Sequence, residues 1–289
     1  MTDLCAQVRS DILQAIEADR LVMPTLPEVA LTIRTEASNP NSTAASLARA
    51  IGRDAALSAR LLKIANSPLL RASRAINDLQ MAISRLGVQY SSNLATGLAM
   101  QQMFQSSSRA IDQRLRQIWH ESTEVAGIAL VLTQNFTRLK PDQAMLAGLM
   151  HRLGALPILT YAEGRSELLA SPALIDRLIE ELHHELGRAI LERWEFPPAL
   201  VEVPERYRDF GRDSSAPDYV DVVMVAALHS RLDSDHPDLK LDWSTIPAFG
   251  KLGLDPDIDA RQIEDVSDEM EAAMAQGKKK LLNIAITAA

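Results

Sequence analysis

Apolar residues recur every three or four positions along much of this chain, and this spacing constrains the fold more than any other feature. Leu57, Leu61 and Ile64 follow it in one segment, and Ile263, Val266 and Met270 follow it in another. Such a stripe covers one face of an α-helix. Aromatic residues make up only 4% of the chain, so the core must consist mostly of aliphatic residues, among which Ala and Leu are strong helix formers. The sequence therefore predicts an all-α fold.

Breaks between the predicted helices divide the chain into two helical lobes and an extension. The serine run at residues 106–108 is the best candidate boundary. Residues 1–108 are predicted to form an N-terminal helical lobe. Residues 109–250 form a second lobe, which opens with a long helix near 110–136. Residues 251–289 form a C-terminal helical extension.

Several local features are predicted within these lobes. Ser42 or Thr43 is expected to cap one helix and Asp54 the next, since short polar side chains favour that position. A later helix is expected at 184–194, with His183 and His184 at its half-exposed start. The charged and Ser-rich segment 206–218 is expected to be an exposed loop.

The overall charge limits the functional classes. A net charge of −8 without a clustered basic face argues against nucleic acid binding. The single cysteine, Cys5, fits a reducing compartment. The most apolar stretch, residues 144–161, is interrupted by His151, Arg152 and Pro157, so it is predicted to be buried core rather than a membrane span. We therefore predict a cytoplasmic protein, with no cofactor and no membrane partner; no oligomeric state is predicted.

Three parts of the chain carry a family likeness. The first reads MPTLPEVA at residues 23–30; the second covers residues 51–67 and continues with AISRLG at 82–87; the third reads GLMHRLG at 148–154. In this order the segments resemble the HDOD domain family, a degenerate form of the HD-domain fold used in bacterial signalling. The likeness runs from about residue 21 to residue 228.

The resemblance implies an N-terminal helical bundle packed on a degenerate HD-like helical domain. It also implies a signalling or regulatory role without catalysis, through contacts with other signalling proteins, in response-regulator or cyclic-dinucleotide circuits.

Active HD enzymes hold metal ions with His and Asp side chains, and the metal activates a water molecule. Here His151 is followed by Arg152, where the resemblance places an aspartate. A unit charge about 4 Å away is worth about 4 kcal/mol at an effective dielectric constant of about 20, so exchanging attraction for repulsion disfavours a dication. By the same resemblance Glu121 stands at a histidine position, His184 is retained, and Ala227 replaces a late aspartate. We predict neither metal nor catalysis.

Other interpretations of these residues stay open. His151 fits a buried histidine bonded to a backbone carbonyl or a carboxylate, and Glu121 fits a polar partner of His151 or His184. A remnant ligand pocket without hydrolysis is a further hypothesis.

Two different functions compete with this prediction. The first is a metal-dependent HD-type phosphohydrolase. The second is a DNA-binding helix-turn-helix over residues 46–65. Its second helix carries only Arg60 and Lys63 as cations, and Ser58 stands where a β-branched core residue would be expected.

A groove between the two lobes is the predicted place for a partner or ligand. It is expected to be edged by Asn66, Ser67, Arg71 and Arg74. The two arginines fit solvated surface charges equally well.

Overall fold

A computed structural model of the protein describes residues 8–12, 14, 23–67, 70, 75–232 and 234–254. Over these ranges the regular structure is helical, with no strand. The predicted all-α fold is therefore confirmed. Cys5, Arg71, Arg74 and the stripe at 263–274 lie outside the described residues.

The N-terminal part consists of short helices joined by tight turns. They are α1 (Glu28–Ser38), α2 (Ala44–Ile51), α3 (Ala55–Ala65), α4 (Leu79–Leu86) and α5 (Val88–Ala99), followed by a 3₁₀ turn at Met100–Met103.

The remaining part contains the two longest helices. It comprises α6 (Arg109–Phe136), α7 (Pro141–Met150), α8 (Ala155–Glu163), α9 (Ser166–Leu169), α10 (Pro172–Arg193), α11 (Pro198–Arg206), α12 (Tyr219–His229), 3₁₀ turns at Pro237–Lys240 and Trp243–Thr245, and α13 (Pro247–Leu252). The helix predicted near 110–136 is confirmed as α6.

Two predicted helix caps are present. The Thr43 hydroxyl accepts a hydrogen bond from the Ser46 amide at 3.1 Å, and the Ser46 hydroxyl accepts one from the Thr43 amide at 2.9 Å. The Asp54 carboxylate accepts a hydrogen bond from the Leu57 amide at 2.9 Å. In each cap a side-chain oxygen accepts a hydrogen bond from a backbone amide that has no acceptor within the first helical turn. These bonds fix where α2 and α3 begin.

The helix predicted at 184–194 begins earlier than expected. In the structure α10 starts at Pro172, and proline is compatible with the first turn because it needs no intrahelical donor there. His183 consequently lies in the middle of α10 and is fully buried. The expectation of a half-exposed helix start at this histidine was wrong.

The segment 206–218 is also more buried than predicted. Arg212 is buried and pairs with Asp218 and with Asp221, its Nη1 atom lying 2.9 Å from Asp221 Oδ1. Lys251 Nζ contacts the same Oδ1 atom of the fully buried Asp221 at 2.6 Å. These ion pairs fix the segment against α12 and α13, because a buried carboxylate needs its partners.

One hydrophobic cluster contains buried residues from both sides of residue 108. Helix α5 packs against α7, and Asn93 Nδ2 donates to Asp142 Oδ2 at 2.6 Å across the same contact. The division into lobes at residue 108 stays a prediction. No helix among the described residues is long and apolar enough to cross a membrane.

Candidate functional site

Three histidines and a tyrosine pack together in the interior of the second part of the chain. We call His151, His183, His184 and Tyr207 the histidine cluster. The His151 and Tyr207 ring centroids are 4.9 Å apart and meet edge to face, and the His184 and Tyr207 centroids are 5.4 Å apart. His151 follows α7, the other two histidines lie on α10, and Tyr207 follows α11. The resemblance predicted two of these four residues, His151 and His184.

A close approach of two backbones brings these elements together. A Cβ atom added at Gly154 would lie 1.9 Å from the His183 carbonyl oxygen, so only glycine fits there. The turn that carries His151 and Arg152 therefore lies directly against α10. The last residue of the GLMHRLG segment has this packing role.

Each histidine of the cluster donates a hydrogen bond to a backbone carbonyl. His151 Nδ1 lies 2.6 Å from the Gly148 oxygen, and His183 Nδ1 lies 2.6 Å from the Ile179 oxygen. His184 Nδ1 lies 2.9 Å from the Pro204 oxygen. Because a carbonyl oxygen only accepts, the proton of each neutral ring is assigned to Nδ1. This confirms the interpretation of His151 as a buried histidine bonded to the backbone.

The cluster is held in its neutral form. Burial lowers the pKa of His151 to about 3, and the positive charge of Arg152 adds to this effect. Burial also takes the pKa of His183 well below its ordinary value and lowers the pKa of His184. With His183 neutral and its proton on Nδ1, Tyr207 donates its hydroxyl proton to Nε2 at 2.9 Å.

Six side chains of alternating positive and negative charge contact one another next to the histidine cluster, beginning beside His151 at Arg152 and its partner Glu121. We call this set the arginine–carboxylate chain, and its members in order of contact are Glu121, Arg152, Glu180, Arg208, Asp238 and Arg231.

Arg152 is the centre of one end of this chain. Its Nη1 donates to Glu121 on α6, and its Nη2 donates to Glu180 Oε1 on α10 at 3.0 Å. The Arg152 side chain is only 12% exposed. Charge-assisted bonds in such a partly desolvated position are stronger than those at an open surface.

Arg208 continues the chain towards the C-terminal turns. It donates through Nη1 to Glu180 and through Nη2 to Asp238 Oδ1 at 2.8 Å. Asp238 also accepts from Arg231. The chain thus connects α6, α10 and the turns that follow α7, α11 and α12.

The residues at this position do not fit a metal ion. The Arg152 guanidinium lies where the resemblance places an aspartate, and it binds the Glu121 carboxylate. Ala227 is buried on α12, and its methyl side chain has no atom that can ligate a metal ion. Within the part of the chain that the structure describes, no three or more His, Cys, Asp or Glu side chains are grouped as a metal site. A dication here would meet a fixed positive charge.

The partner of Glu121 differs from the expected one. Its carboxylate accepts from Arg152 and from Gln117 Nε2, the latter at 3.0 Å, rather than from His151 or His184. The histidines use backbone carbonyls instead.

The predicted groove residues have local structural contacts. The Asn66 amide donates to the Ile76 oxygen at 2.9 Å, and its oxygen accepts from the Ile76 amide at 2.7 Å. The Ser67 hydroxyl donates to the Ile64 oxygen at 2.8 Å. Because Arg71 and Arg74 lie outside the described residues, the groove stays a prediction.

The segment of the predicted helix-turn-helix, residues 46–65, lies on α2, α3 and the turn between them. Arg60, one of the two cations on its second helix, bends back along the helix. Its Nη1 donates to Gln101, and its Nε donates to the Ala56 oxygen at 3.3 Å. The charge of Arg60 is therefore held by the protein itself.

Sequence reasoning missed Tyr207, Glu180, Arg208, Arg231 and Asp238. One signal was available for Glu180, which stands four positions before His184 and therefore on the same helical face. The other four residues lie in or beside turns, where no periodicity marks them.

Comparisons with known proteins agree with the fold. The family model of the HDOD domain matches residues 23–209. A candidate metal-dependent phosphohydrolase from Shewanella amazonensis SB2B has a solved structure that superposes with a TM-score of 0.83 at 30% identity, covering 95% of this chain and 100% of that one.

Two more distant structures share the fold. An HDOD domain protein of unknown function from Geobacter sulfurreducens gives a TM-score of 0.65 at 20% identity, covering 94% of this chain and 99% of that chain. A candidate signal transduction protein from Marinobacter aquaeolei VT8 gives 0.60 at 20% identity, covering 95% of this chain and 66% of that chain.

An uncharacterized protein of Treponema pallidum (strain Nichols) is 28% identical over 210 residues. The match covers 68% of this chain but only 39% of that longer relative.

Proposed function

The chain belongs to the HDOD domain family, and we propose that it is a non-catalytic signalling protein that acts through contacts with other signalling proteins. The circuits that fit this role are response-regulator and cyclic-dinucleotide circuits.

One observation carries the non-catalytic part of this proposal. At the position of the HD metal site the guanidinium of Arg152 binds Glu121 and Glu180. An arginine stays protonated throughout the physiological pH range, so this positive charge does not dissociate as a metal ion does. Such a site supplies structure where an active relative would supply an activated water molecule.

The competing function is metal-dependent phosphoester hydrolysis, which the name of the Shewanella relative suggests for that protein. The test uses the full chain purified without chelators. Bound metal is measured by mass spectrometry, and hydrolysis of bis(p-nitrophenyl) phosphate is measured with added Mn²⁺, Fe²⁺ or Mg²⁺. We expect neither stoichiometric metal nor any hydrolysis above that of His151→Ala. Stoichiometric Mn, Fe or Zn together with hydrolysis that His151→Ala abolishes would overturn the proposal.

The contact-based part needs a separate experiment. The full chain is used to capture partners from its native cells, beside an Arg71→Ala/Arg74→Ala variant. Loss of a specific partner in the variant supports the predicted groove, and an unchanged set of partners refutes that location.

DNA binding is tested with random duplex DNA at low salt. A complex that weakens steeply with added salt would favour the helix-turn-helix alternative, since phosphate contacts release counterions. We expect no complex.

A further inference from the structure

The turn between α6 and α7 forms an exposed patch that is both apolar and basic. We call Phe136, Arg138, Leu139 and Lys140 the basic turn. Phe136, the last residue of α6, is 38% exposed, and Leu139 is half-buried against the core. Arg138 and Lys140 are exposed, and neither side chain has a hydrogen-bond or ion-pair partner among the described residues. An apolar ring beside two such cations fits an amphipathic partner that carries carboxylates.

Acidic side chains near the basic turn have other partners. Asp142, two positions after Lys140, is buried and accepts a hydrogen bond from Asn93 Nδ2 at 2.6 Å. At the start of α12, Asp218 and Asp221 both pair with Arg212. These carboxylates therefore form no ion pair with the two cations of the basic turn.

Helix α13, the last described helix, lies near the basic turn. Lys251 of α13 contacts Asp221 at 2.6 Å, and the Tyr219 hydroxyl accepts a hydrogen bond from the Lys140 amide at 3.2 Å. Asp221 and Tyr219 both belong to the first turn of α12, and a helix is only about 10 Å across. Residues 255–262 can extend over about 26 Å. The residues that follow them can therefore reach the basic turn.

The predicted C-terminal helix has an apolar stripe at residues 263–274 that is flanked by carboxylates. At 100° per residue, Glu264 and Glu271 lie along one edge of this stripe. Asp265 and Asp268 lie on the opposite face of the same predicted helix. An apolar face with two glutamates along its edge is the complement of an apolar ring beside two cations.

We infer that residues 263–274 bind as a helix to the basic turn of the same chain. The apolar stripe packs against the Phe136 ring, and the two flanking glutamates face the two cations. A short tether holds the segment at an effective concentration of about 1 mM, which favours it over a free partner. This contact goes beyond the proposed signalling function and does not depend on it.

Disulfide trapping in the full chain tests the contact, with the single cysteine removed as Cys5→Ser. The test pair, Thr137→Cys/Ser267→Cys, places one thiol in the basic turn and one beside the stripe. The matched control pair is Ser84→Cys/Ser267→Cys, at an exposed serine of α4. A disulfide needs Cα atoms within about 7 Å, so we expect the test pair to form an intrachain disulfide about tenfold faster than the control pair. Mass spectrometry of alkylated peptides at low protein concentration measures both rates.

Charge exchange tests the recognition. In the test pair, Arg138→Glu/Lys140→Glu should slow disulfide formation about fivefold, because two exposed charge pairs are lost. Adding Glu264→Lys/Glu271→Lys should restore the rate, since the charges are then exchanged across the contact. If the double substitution in the basic turn prevents folding, which circular dichroism detects, Lys140→Glu with Glu264→Lys takes its place.

Two control substitutions accompany the charge exchange. Asp265→Lys/Asp268→Lys makes the same change in net charge as the rescuing substitution but on the opposite face, and it should not restore the rate. For the apolar contact, Phe136→Ser should slow disulfide formation, whereas Met81→Ser, at another exposed apolar residue, should not.

The inference is overturned if the test pair reacts no faster than the control pair, or if charge reversal in the basic turn leaves the rate unchanged. It is also overturned if lysines on the opposite face restore the rate equally. Disulfides that join two chains, with a yield that rises with protein concentration, would make a second copy the occupant and would likewise overturn it.

Discussion

His151 is buried beside positively charged arginines, with one backbone carbonyl as its hydrogen-bond acceptor. Folding therefore keeps this ring neutral, at a cost that depends on pH. In the unfolded chain the His151 ring takes up a proton as the pH falls through its ordinary pKa of about 6.5. In the folded chain burial lowers that pKa to about 3. The unfolded state thus binds more protons between these values, so the free energy of unfolding decreases as the pH falls through this window.

The first prediction concerns this slope. Each buried neutral histidine should contribute about 1.4 kcal/mol per pH unit near pH 5. The His151→Leu variant removes one such group, so its free energy of unfolding should fall less steeply between pH 6 and pH 4. Urea denaturation at a series of pH values measures this. The control is His120→Leu, at an exposed histidine of α6. If His151→Leu has the same slope as the unsubstituted chain, His151 is protonated in the folded state.

The second prediction concerns Arg152. In the Arg152→Met variant Glu121 and Glu180 lose their shared cation while most of the apolar stem is kept. We expect the free energy of unfolding at pH 7 to fall by about 2 kcal/mol, less than for a fully buried pair because both glutamates are partly exposed.

The comparison for Arg152→Met is Arg188→Met, because the Arg188 side chain, which pairs with Glu192 and Glu205, is 43% exposed whereas that of Arg152 is 12% exposed. The Arg188→Met substitution should change stability little. Equal effects of the two substitutions in urea denaturation would mean that the Arg152 pairs are no stronger than surface pairs.

At the scale of elements, the C-terminal end of α10 is held by the N-terminal segment. Arg34 of α1 donates to the carbonyl oxygens of Trp194 at 2.8 Å and Glu195 at 3.0 Å. The Trp194 ring nitrogen in turn donates to the Pro24 oxygen at 3.0 Å. A guanidinium at a helix C-terminus pairs unbonded carbonyls and complements the helix dipole. The MPTLP segment, noticed as a motif, thus has a packing role.

Glu195 provides the third prediction. It has a φ of 54°, the left-handed conformation that terminates helices and that favours glycine. The Glu195→Gly variant should raise the free energy of unfolding by about 0.5 kcal/mol, since the relief of strain exceeds the added entropy of the unfolded chain. The same change at Glu185, an exposed position inside α10, should lower it by about 1 kcal/mol. If both glycines destabilise in thermal denaturation, the Glu195 backbone is not strained.

These elements also explain which predictions succeeded. The caps at Thr43 and Asp54 and the span of α6 were predictable because local hydrogen bonding and the apolar period determine them. The start of α10 was missed, although Ile175, Leu178 and Leu182 continue its apolar stripe. The resemblance placed Arg152 at an aspartate position of the HD metal site, and the absence of a bound metal stays a prediction. The arginine–carboxylate chain could not be predicted, because its members are far apart in sequence and only tertiary packing brings them together.

At the scale of the whole molecule, the two predicted lobes share their interior. The buried Asn93 of α5 bonds to Asp142 of α7, and Arg34 bonds to the end of α10. Apolar residues on both sides of residue 108 belong to one cluster. A shared core couples the stability of the parts that build it, so we expect one cooperative unfolding transition rather than two.

The last prediction tests this coupling through Gly148. A Cβ atom there would lie 2.6 Å from the Ala126 Cα atom, so Gly148→Ala forces α7 away from α6 within the second part of the chain. We expect the free energy of unfolding to fall by about 1–3 kcal/mol, which is typical of overpacking.

Hydrogen exchange in increasing urea reports on each helix separately. Amides of α2 and α3 should lose protection at the same urea concentration as those of α11 and α12, and Gly148→Ala should lower both midpoints equally. The Gly164→Ala control, at a glycine with no atom within 4 Å of the added Cβ, should move neither. Two separate transitions, with Gly148→Ala moving only the second, would instead support independent lobes that meet at residue 108.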